Sequence, residues 1–203
     1  RITKIKTTCL LVFATIIAIG GYWAHVRESL FERDKRLLMS AVVSAQASAI
    51  ERRLAHSLSS TYILAQELKR NKGVFENFES YAADVIRSTE GVSNLQLAPN
   101  GIVRQIYPLV GNEKALGHNI LRDDRRKQEA QQAVTERRLT LAGPLELLKG
   151  GIAVIGRNPV FLERGGRQKF WGFTSALIIL DDLLAATELE ALQKQGYSYQ
   201  LSR

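Results

Sequence analysis

The chain has 203 residues, of which 45% are hydrophobic, and its 28 basic and 20 acidic side chains give a formal net charge of +8. The apolar content is sufficient for a packed core, whereas the mild basic surplus, without a recognisable motif, is not the signature of a nucleic-acid-binding protein. The single cysteine, Cys9, excludes a disulfide framework and a thiolate metal site.

Residues 7–24 form a run of 18 residues without a charge. A helix of this length spans about 27 Å at about 1.5 Å per residue, close to the hydrocarbon thickness of a bilayer. Basic residues precede the run, and Tyr22 and Trp23 close it, so residues 1–26 are predicted to anchor the chain in the cell (inner) membrane with the N-terminus in the cytoplasm. A cleaved signal peptide and a buried soluble helix are the alternatives.

A long helix is predicted for residues 27–70, because glycine and proline are absent between Glu28 and Arg70 and strong helix formers dominate there. Apolar residues recur three and four apart along it: Leu30, Leu37, Ala41, Val42, Ala45, Ile50, Leu54, Leu58, Tyr62 and Leu68. Its first half is expected to rise from the membrane as a stalk against the same helix of a homodimer partner. The alternative is a helical hairpin that breaks near residues 57–60.

The next segments predict a short helix and a hairpin. Residues 75–88 have helical periodicity, and Gly91 shortly after them is expected to stop the helix. The alternating segments 92–98 and 102–107 flank Pro99-Asn-Gly101, which predicts two paired strands. A charged helix is then predicted for residues 122–138.

That helix carries many basic residues, namely Arg122, Arg125, Arg126, Lys127, Arg137 and Arg138. A solvated face is the favoured interpretation, and an anion-binding or membrane-facing surface is the alternative.

The remaining chain is rich in strand-like segments: 139–141, 145–148, 152–155, 159–162, 170–180 and 197–203. Residues 170–180 are the most apolar and are predicted to form a central strand. Asp181 and Asp182 are expected to cap a helix from Leu183 to Lys194. The order of elements predicts an α+β fold with an antiparallel sheet. A boundary near residues 159–169 would separate a membrane-distal part from an incomplete membrane-proximal part, and the chain is expected to be a fragment of a longer protein.

No catalytic, metal or cofactor site is predicted. The serines lie outside any G-x-S-x-G context, and His25, His56 and His118 lack metal-ligand spacing. His118 with Glu113 could form a site, but a surface histidine is favoured. The polar residues Tyr107, Thr140 and Glu146 are candidates for a ligand pocket, because polar groups on strands can point into an apolar cavity.

The middle of the chain, roughly residues 54–184, resembles a CHASE domain, the extracellular sensory module of membrane-bound histidine kinases and nucleotide cyclases. The matching segments are Pro99-Asn-Gly101 with Val103, Tyr107-Pro108, Gly111-Asn-Glu113, Gly117-His-Asn119, Leu141-Ala-Gly-Pro-Leu145, Gly150-Gly151, Asn158-Pro-Val-Phe161 and Phe170-Trp-Gly-Phe173.

The resemblance implies a stalk helix and two PAS-like subdomains, the second incomplete here, with a small ligand in the membrane-distal one. Plant cytokinin receptors of this family have a threonine where this chain has Ala142, with Thr140 nearby, and an acid in the loop that here offers Asn112 and Glu113. These differences argue against a purine-like cytokinin ligand. The implied ligand-binding positions are Tyr107, Asn112, Glu113, Thr140, Ala142, Leu145 and Glu146.

The predicted function is an extracytoplasmic, periplasmic ligand-sensing input domain, residues 71–203, of a membrane-bound signalling receptor. The resemblance implies a diguanylate cyclase, a cyclic-di-GMP phosphodiesterase or a histidine kinase as the output after Arg203. The predicted partners are a small molecule, the lipid bilayer and a second copy of the chain. An envelope scaffold module without a small ligand, or an envelope enzyme, is the alternative.

Overall fold

The computed structural model describes residues 2–124, 127–147, 151–185, 187 and 194, with the backbone alone for residues 2–12 and 14. Residues 1–47 form one compact unit and residues 48–203 form another. Several predicted features lie outside the described residues, namely Arg125, Arg126, Leu148, Gly150, most of the helix beyond Ala185, and the strand 197–203. Among the described residues, no helix combines the length and the apolar character that a bilayer crossing requires.

The first element, α1 (Ile2–Arg70), is a single α-helix. It continues through residues 57–60, so the predicted long helix is confirmed and the alternative hairpin break is wrong. The buried hydroxyl groups of Ser60 and Thr61 donate hydrogen bonds to carbonyl oxygens three residues earlier, at 2.6 and 2.8 Å, so their polar atoms are satisfied within the helix. The helix ends before Gly73, whose φ of +92° is typical of a helix C-terminus.

Five strands form one antiparallel sheet. They are β1 (Asn94–Pro99), β2 (Gln105–Tyr107), β3 (Thr140–Glu146), β4 (Ile152–Arg164) and β5 (Arg167–Ile179). Their spatial order is β2-β1-β5-β4-β3, so the apolar strand β5 is central, as predicted. With the helices, this sheet confirms the predicted α+β class.

The shorter helices begin and end at residues that differ from the predictions. They are α2 (Phe78–Ser88), α3 (Lys127–Glu136) and α4 (Leu180–Ala185). The predicted start of α3 at Arg122 is wrong, because Ile120–Arg122 forms a separate 3-10 turn in which the Asn119 side chain accepts a hydrogen bond from the Leu121 amide at 3.1 Å.

The α4 helix begins at Leu180, three residues before its predicted start. Asp181 and Asp182 therefore lie inside its first turn and do not precede it. Carboxylates in this position still stabilise the helix, because they interact favourably with its partially positive N-terminus.

Residues 159–169, where the sequence suggested a boundary, lie in the hairpin of β4 and β5. The two strands pair from Ala153 with Ile179 to Arg164 with Arg167, with one irregularity after Val160. Both strands are therefore parts of the same sheet on either side of residue 160.

One face of the sheet, which we call the α1 face, packs against α1 and α2. The fully buried Leu64 of α1 packs with Phe78, Val85, Leu95 and Leu97. Burying a leucine side chain contributes about 1.5–3 kcal/mol, so apolar contact is the main force that holds the helices on the sheet.

Two strands also hold α1 through a buried carbonyl oxygen, that of Thr61. Thr174 Oγ1 donates a hydrogen bond to it at 2.8 Å, and Asn158 Nδ2 donates a second at 3.4 Å. Thr174 and Asn158 are paired across β5 and β4, so both central strands contact the same turn of α1.

The Thr174→Val substitution is expected to destabilise the protein by about 1 kcal/mol, because it removes a buried hydrogen bond while preserving the shape of the side chain. Urea unfolding of the full chain, followed by circular dichroism, measures the change. The control is Thr135→Val on the exposed side of α3, which should leave stability unchanged. Equal effects of the two substitutions would contradict the importance of the Thr61 contact.

Candidate functional site

The candidate site lies on the opposite side of the sheet, which we call the α3 face. Helix α3 contacts β3, β4 and the preceding 3-10 turn there. An apolar cluster at one end contains Ala98, Val103, Ile120, Ala130, Ala133 and Phe173. A second apolar cluster contains Ala153, Ile155, Leu177, Leu145, Leu147 and Ile179.

Four polar residues cross the α3 face between these clusters, and we call them the polar row. The strand register pairs Gln96 of β1 with Ser175 of β5, Ser175 with Arg157 of β4, and Arg157 with Thr140 of β3. Directly paired residues point to the same face of a sheet, with Cβ atoms about 4.5–5.5 Å apart. The row therefore brings an amide, two hydroxyl groups and a guanidinium together.

The polar row is closed to solvent over most of its length. Gln96 is 7% exposed, Ser175 is not exposed, and Arg157 is 2% exposed, whereas Thr140 is half-buried. Arginine is rarely buried to this degree, because transfer of a charged group out of water is unfavourable unless it is paired.

Hydrogen bonds hold both ends of the row. At the β1 end, Gln96 Nε2 donates to Asn94 Oδ1 at 2.9 Å, and Asn94 Nδ2 donates to Asn112 Oδ1 at 3.3 Å. Asn112 Nδ2 in turn donates to the Pro108 carbonyl oxygen at 2.8 Å. These amides connect the row to the loop that follows β2.

At the β3 end, Thr140 Oγ1 donates a hydrogen bond to the Glu129 carbonyl oxygen of α3 at 3.0 Å. In the middle of the row, Ser175 Oγ is buried and has no hydrogen-bond partner among the described residues. A buried hydroxyl without a partner costs about 1–3 kcal/mol, so a hydrogen-bond partner for Ser175 would stabilise this part of the row.

The structure brings four of the sequence-predicted site residues to the α3 face. Thr140 belongs to the polar row, and Asn112 is connected to it through Asn94. Ala142 is buried beside Ile155, and Leu145 packs in the second apolar cluster.

The other three predicted residues lie elsewhere. Tyr107 pairs with Leu95 on the α1 face, so its ring packs on the opposite side of the sheet from the polar row. Glu113 is exposed and accepts a hydrogen bond from the Gly111 amide at 2.9 Å. Glu146 is exposed at the end of β3.

Sequence reasoning missed Gln96, Arg157 and Ser175. A signal was present for Arg157, because it interrupts the apolar segment 152–162 in which an arginine is costly to bury. Gln96 and Ser175 also lie in strongly apolar segments, but their common face is visible only in the strand pairing.

Two open depressions lie near the end of α1 and along α2, with volumes of about 510 and 460 Å³. Tyr81 lines the first, and burial together with the nearby Glu67 carboxylate raises the pKa of its phenol, while Arg70 opposes this shift. Tyr107 lines the second. Ligand sites normally present a few convergent polar groups, which the polar row of the α3 face provides and which make that face our candidate.

Potential metal-ligating side chains were compared among the residues that the structure describes. No group of three or more histidine, cysteine, aspartate or glutamate side chains there is arranged to hold a metal ion. His118, for which a surface position was the favoured interpretation, lies beside Asp123, with Nε2 3.1 Å from Oδ2.

Comparisons with known proteins agree with a sensory fold. The family model of the CHASE domain matches residues 39–202. An extracellular ligand-binding receptor from Desulfohalobium retbaense superposes with a TM-score of 0.57 at 14% identity, over 71% of this chain and 25% of that protein. The chain thus spans about a quarter of the length of that receptor.

A second solved structure is the ligand-binding domain of the Pseudomonas aeruginosa amino acid chemoreceptor PctC in complex with GABA. It has a TM-score of 0.52 at 16% identity, over 79% of this chain and 67% of that one. Identities this low indicate a shared fold and no more. No curated protein sequence matches the chain.

Proposed function

Because this chain belongs to the CHASE domain family of extracellular sensory domains, we propose that its α3 face binds a small molecule and that binding is transmitted to helix α1. The observation that carries this proposal is the polar row, which is buried between two apolar clusters and contains the unpaired hydroxyl of Ser175. The GABA complex of PctC supports a small-molecule ligand for this fold.

A ligand can reach the polar row only if the elements that cover it, α3 and the loop after β2, move. Gln96, Ser175 and Arg157 are all less than 10% exposed, so a ligand reaches them only when α3 or the loop after β2 is displaced. The hydrogen bonds from Thr140 to α3 and from Asn94 to Asn112 hold that cover in place. Ligand binding would therefore change the position of α3 or of the loop after β2.

The alternation of side chains along β4 and β5 supports transmission to α1. Arg157 and Ser175 face the polar row, and their chain neighbours Asn158 and Thr174 both donate hydrogen bonds to the Thr61 carbonyl oxygen. A shift of β4 or β5 at the polar row would therefore also move Asn158 or Thr174, which contact α1. The ligand shifts the equilibrium only if its affinity differs between the two positions of the helix.

The input domain is proposed to be part of a membrane receptor with a single N-terminal anchor. Residues 1–26 would hold the cytoplasmic start and the anchor in the inner membrane, residues 27–70 would form the stalk, and residues 71–203 would form the sensory domain. Support comes from the charge-free run and from large apolar side chains that are exposed between residues 13 and 43 of α1. A paired stalk in a homodimer would cover part of this apolar surface.

The output module is proposed to follow Arg203 in the cytoplasm as a diguanylate cyclase, a cyclic-di-GMP phosphodiesterase or a histidine kinase. Reporter fusions after Arg27 test the topology, since activity of a periplasmic reporter supports it and activity of a cytoplasmic reporter contradicts it.

Ligand binding is tested with two matched glutamine substitutions on opposite faces. A thermal shift screen of the full chain against a metabolite library is expected to find a stabilising compound, since a ligand at 100 times its Kd adds about 2.7 kcal/mol. We expect Gln96→Leu on the α3 face to abolish the shift. The control Gln105→Leu on the α1 face should preserve it.

A compound whose shift is lost in Gln105→Leu and kept in Gln96→Leu would contradict the proposed face. The absence of a shift with any compound, together with tight binding of a protein partner, would favour a scaffold module.

A further inference from the structure

The hairpin of β4 and β5 ends in a cluster of exposed cations. Arg164 and Arg167 flank the turn, Lys169 follows on β5, and Lys72 follows the end of α1. We call these four residues the basic tip, and we propose that the basic tip is an interaction surface for an acidic segment of a partner protein. The surface is separate from the α3 face, so the proposal does not depend on ligand binding there.

The strand register places three of the cations on the α1 face of the sheet. Leu162 of β4 packs with Leu68 of α1 and pairs with Lys169 of β5. Arg164 lies two residues farther along β4 and pairs with Arg167. Because alternate residues of a strand and directly paired residues share a face, Lys169, Arg164 and Arg167 point to the side of the sheet on which α1 ends.

A hydrogen bond fixes the fourth cation beside the hairpin. Trp171 Nε1 of β5 donates to the carbonyl oxygen of Gly73 at 3.2 Å, which holds the segment after α1 on the strand. Lys72 precedes this glycine and lines the depression of about 510 Å³ together with Val74 and Glu76. The basic tip therefore adjoins a concave surface.

The charges of the basic tip are not offset within the described residues. None of its four cations has an ion pair there. Glu163 pairs with Gln168, so its carboxylate points to the opposite face of the hairpin. Glu67 already accepts a hydrogen bond from Asn71 at 2.8 Å and forms an ion pair with Arg70 at 3.0 Å.

The turn of the hairpin holds two like charges opposite each other. Gly165 and Gly166 have positive φ angles of +61° and +71°, as in a tight two-residue hairpin turn. Arg164 and Arg167 are thus fixed as a cross-strand pair, and like charges in this arrangement destabilise a sheet. A carboxylate from another molecule would relieve the repulsion, and a guanidinium matches the two oxygens of a carboxylate in a planar fork.

The apolar residues beside the basic tip favour a protein over other anionic partners. Val74 is 57% exposed, and the half-buried Phe75 lines the same depression. Protein interfaces combine arginine and aromatic side chains with an apolar centre. A segment that carries apolar side chains between its acids would cover Val74, whereas an acidic polysaccharide or a lipid headgroup would only neutralise the cations.

The test measures binding of synthetic peptides to the purified full chain by fluorescence anisotropy. One peptide alternates pairs of glutamates with pairs of leucines, and the other has glutamine at every glutamate. The acidic peptide is expected to bind, and the glutamine peptide to bind about tenfold or more weakly, since hydrogen bonds between charged groups are roughly twice as strong as neutral ones. Polygalacturonate, an acidic polysaccharide, and vesicles of anionic phospholipid are expected to bind more weakly than the acidic peptide.

Substitutions locate the binding surface. Arg164→Gln combined with Arg167→Gln is expected to weaken binding of the acidic peptide about tenfold or more. The matched control combines Arg33→Gln with Arg36→Gln, two exposed residues of α1 in the other compact unit, and should change the affinity by less than about twofold. Val74→Ser is expected to weaken binding about fivefold through lost apolar contact.

The hairpin variant is expected to remain folded, because both arginines are exposed and their mutual repulsion is removed. Its urea midpoint should be no lower than that of the parent chain. The proposal is overturned if both peptides bind equally, if neither binds, or if the control weakens binding as much as the hairpin variant. Tighter binding of polygalacturonate or of the vesicles than of the acidic peptide would also overturn it.

Discussion

Replacement of Gly172 by alanine is expected to destabilise the sensory unit by about 3 kcal/mol or more, a large fraction of the about 5–15 kcal/mol that stabilises a typical domain. Gly172 pairs with Pro99 where β1 meets β5, and its φ is +152°. A Cβ atom at this position would lie 2.1 Å from the Ala98 carbonyl oxygen and 2.7 Å from the Pro99 Cα atom. Both obstacles are backbone atoms, so the strands would have to separate.

Urea unfolding of the full chain, followed by the fluorescence of the adjacent Trp171, measures this effect. Gly165→Ala is the matched control, because Gly165 also has a positive φ, +61°, but a Cβ atom there would have nothing within 4 Å. The control should lose about 1 kcal/mol from backbone strain alone. Equal losses would contradict the steric argument for Gly172.

Truncation of Leu64 to alanine is expected to cost about 3 kcal/mol, within the range of about 2–5 kcal/mol for buried leucines. Leu64 is fully buried in the cluster that joins α1, α2 and the sheet. The substitution removes apolar contact and leaves a cavity whose walls belong to three separate elements, which limits relaxation around it.

The matched control is Leu38→Ala in the same helix, because Leu38 is 69% exposed. Its unfolding midpoint in urea should lie close to that of the parent chain, since alanine is also the better helix former. A loss of stability in Leu38→Ala equal to that in Leu64→Ala would show that helix α1 is not held by the buried cluster. Measurement at low protein concentration separates this effect from association of the chains.

The sequence allowed the elements of this fold to be predicted better than their ends. The apolar segment 170–180 indicated a central strand, and the absence of glycine and proline indicated the long helix. The start of α3 could not be read from helical periodicity, because Arg122 belongs to a separate 3-10 turn that the Asn119 side chain stabilises.

The candidate site was predictable only in part, because its residues are selected by register. Tyr107 and Ile106 are adjacent in β2, and nothing in the sequence decides which of their side chains points to the α3 face. The β3 strand is harder still, since a bulge between Ala142 and Leu145 returns Leu145 to the same face as Ala142. A regular strand would have directed these two side chains to opposite faces.

The back-to-back arrangement of Arg157 with Asn158, and of Ser175 with Thr174, has a consequence for divergence within the family. In the proposed site, ligand recognition and transmission to α1 would depend on different residues that are neighbours in the chain, so a substitution on the α3 face would leave the side chains that contact α1 in place. A receptor with this arrangement could change its ligand specificity through residues of the α3 face and keep the hydrogen bonds of Asn158 and Thr174 to helix α1.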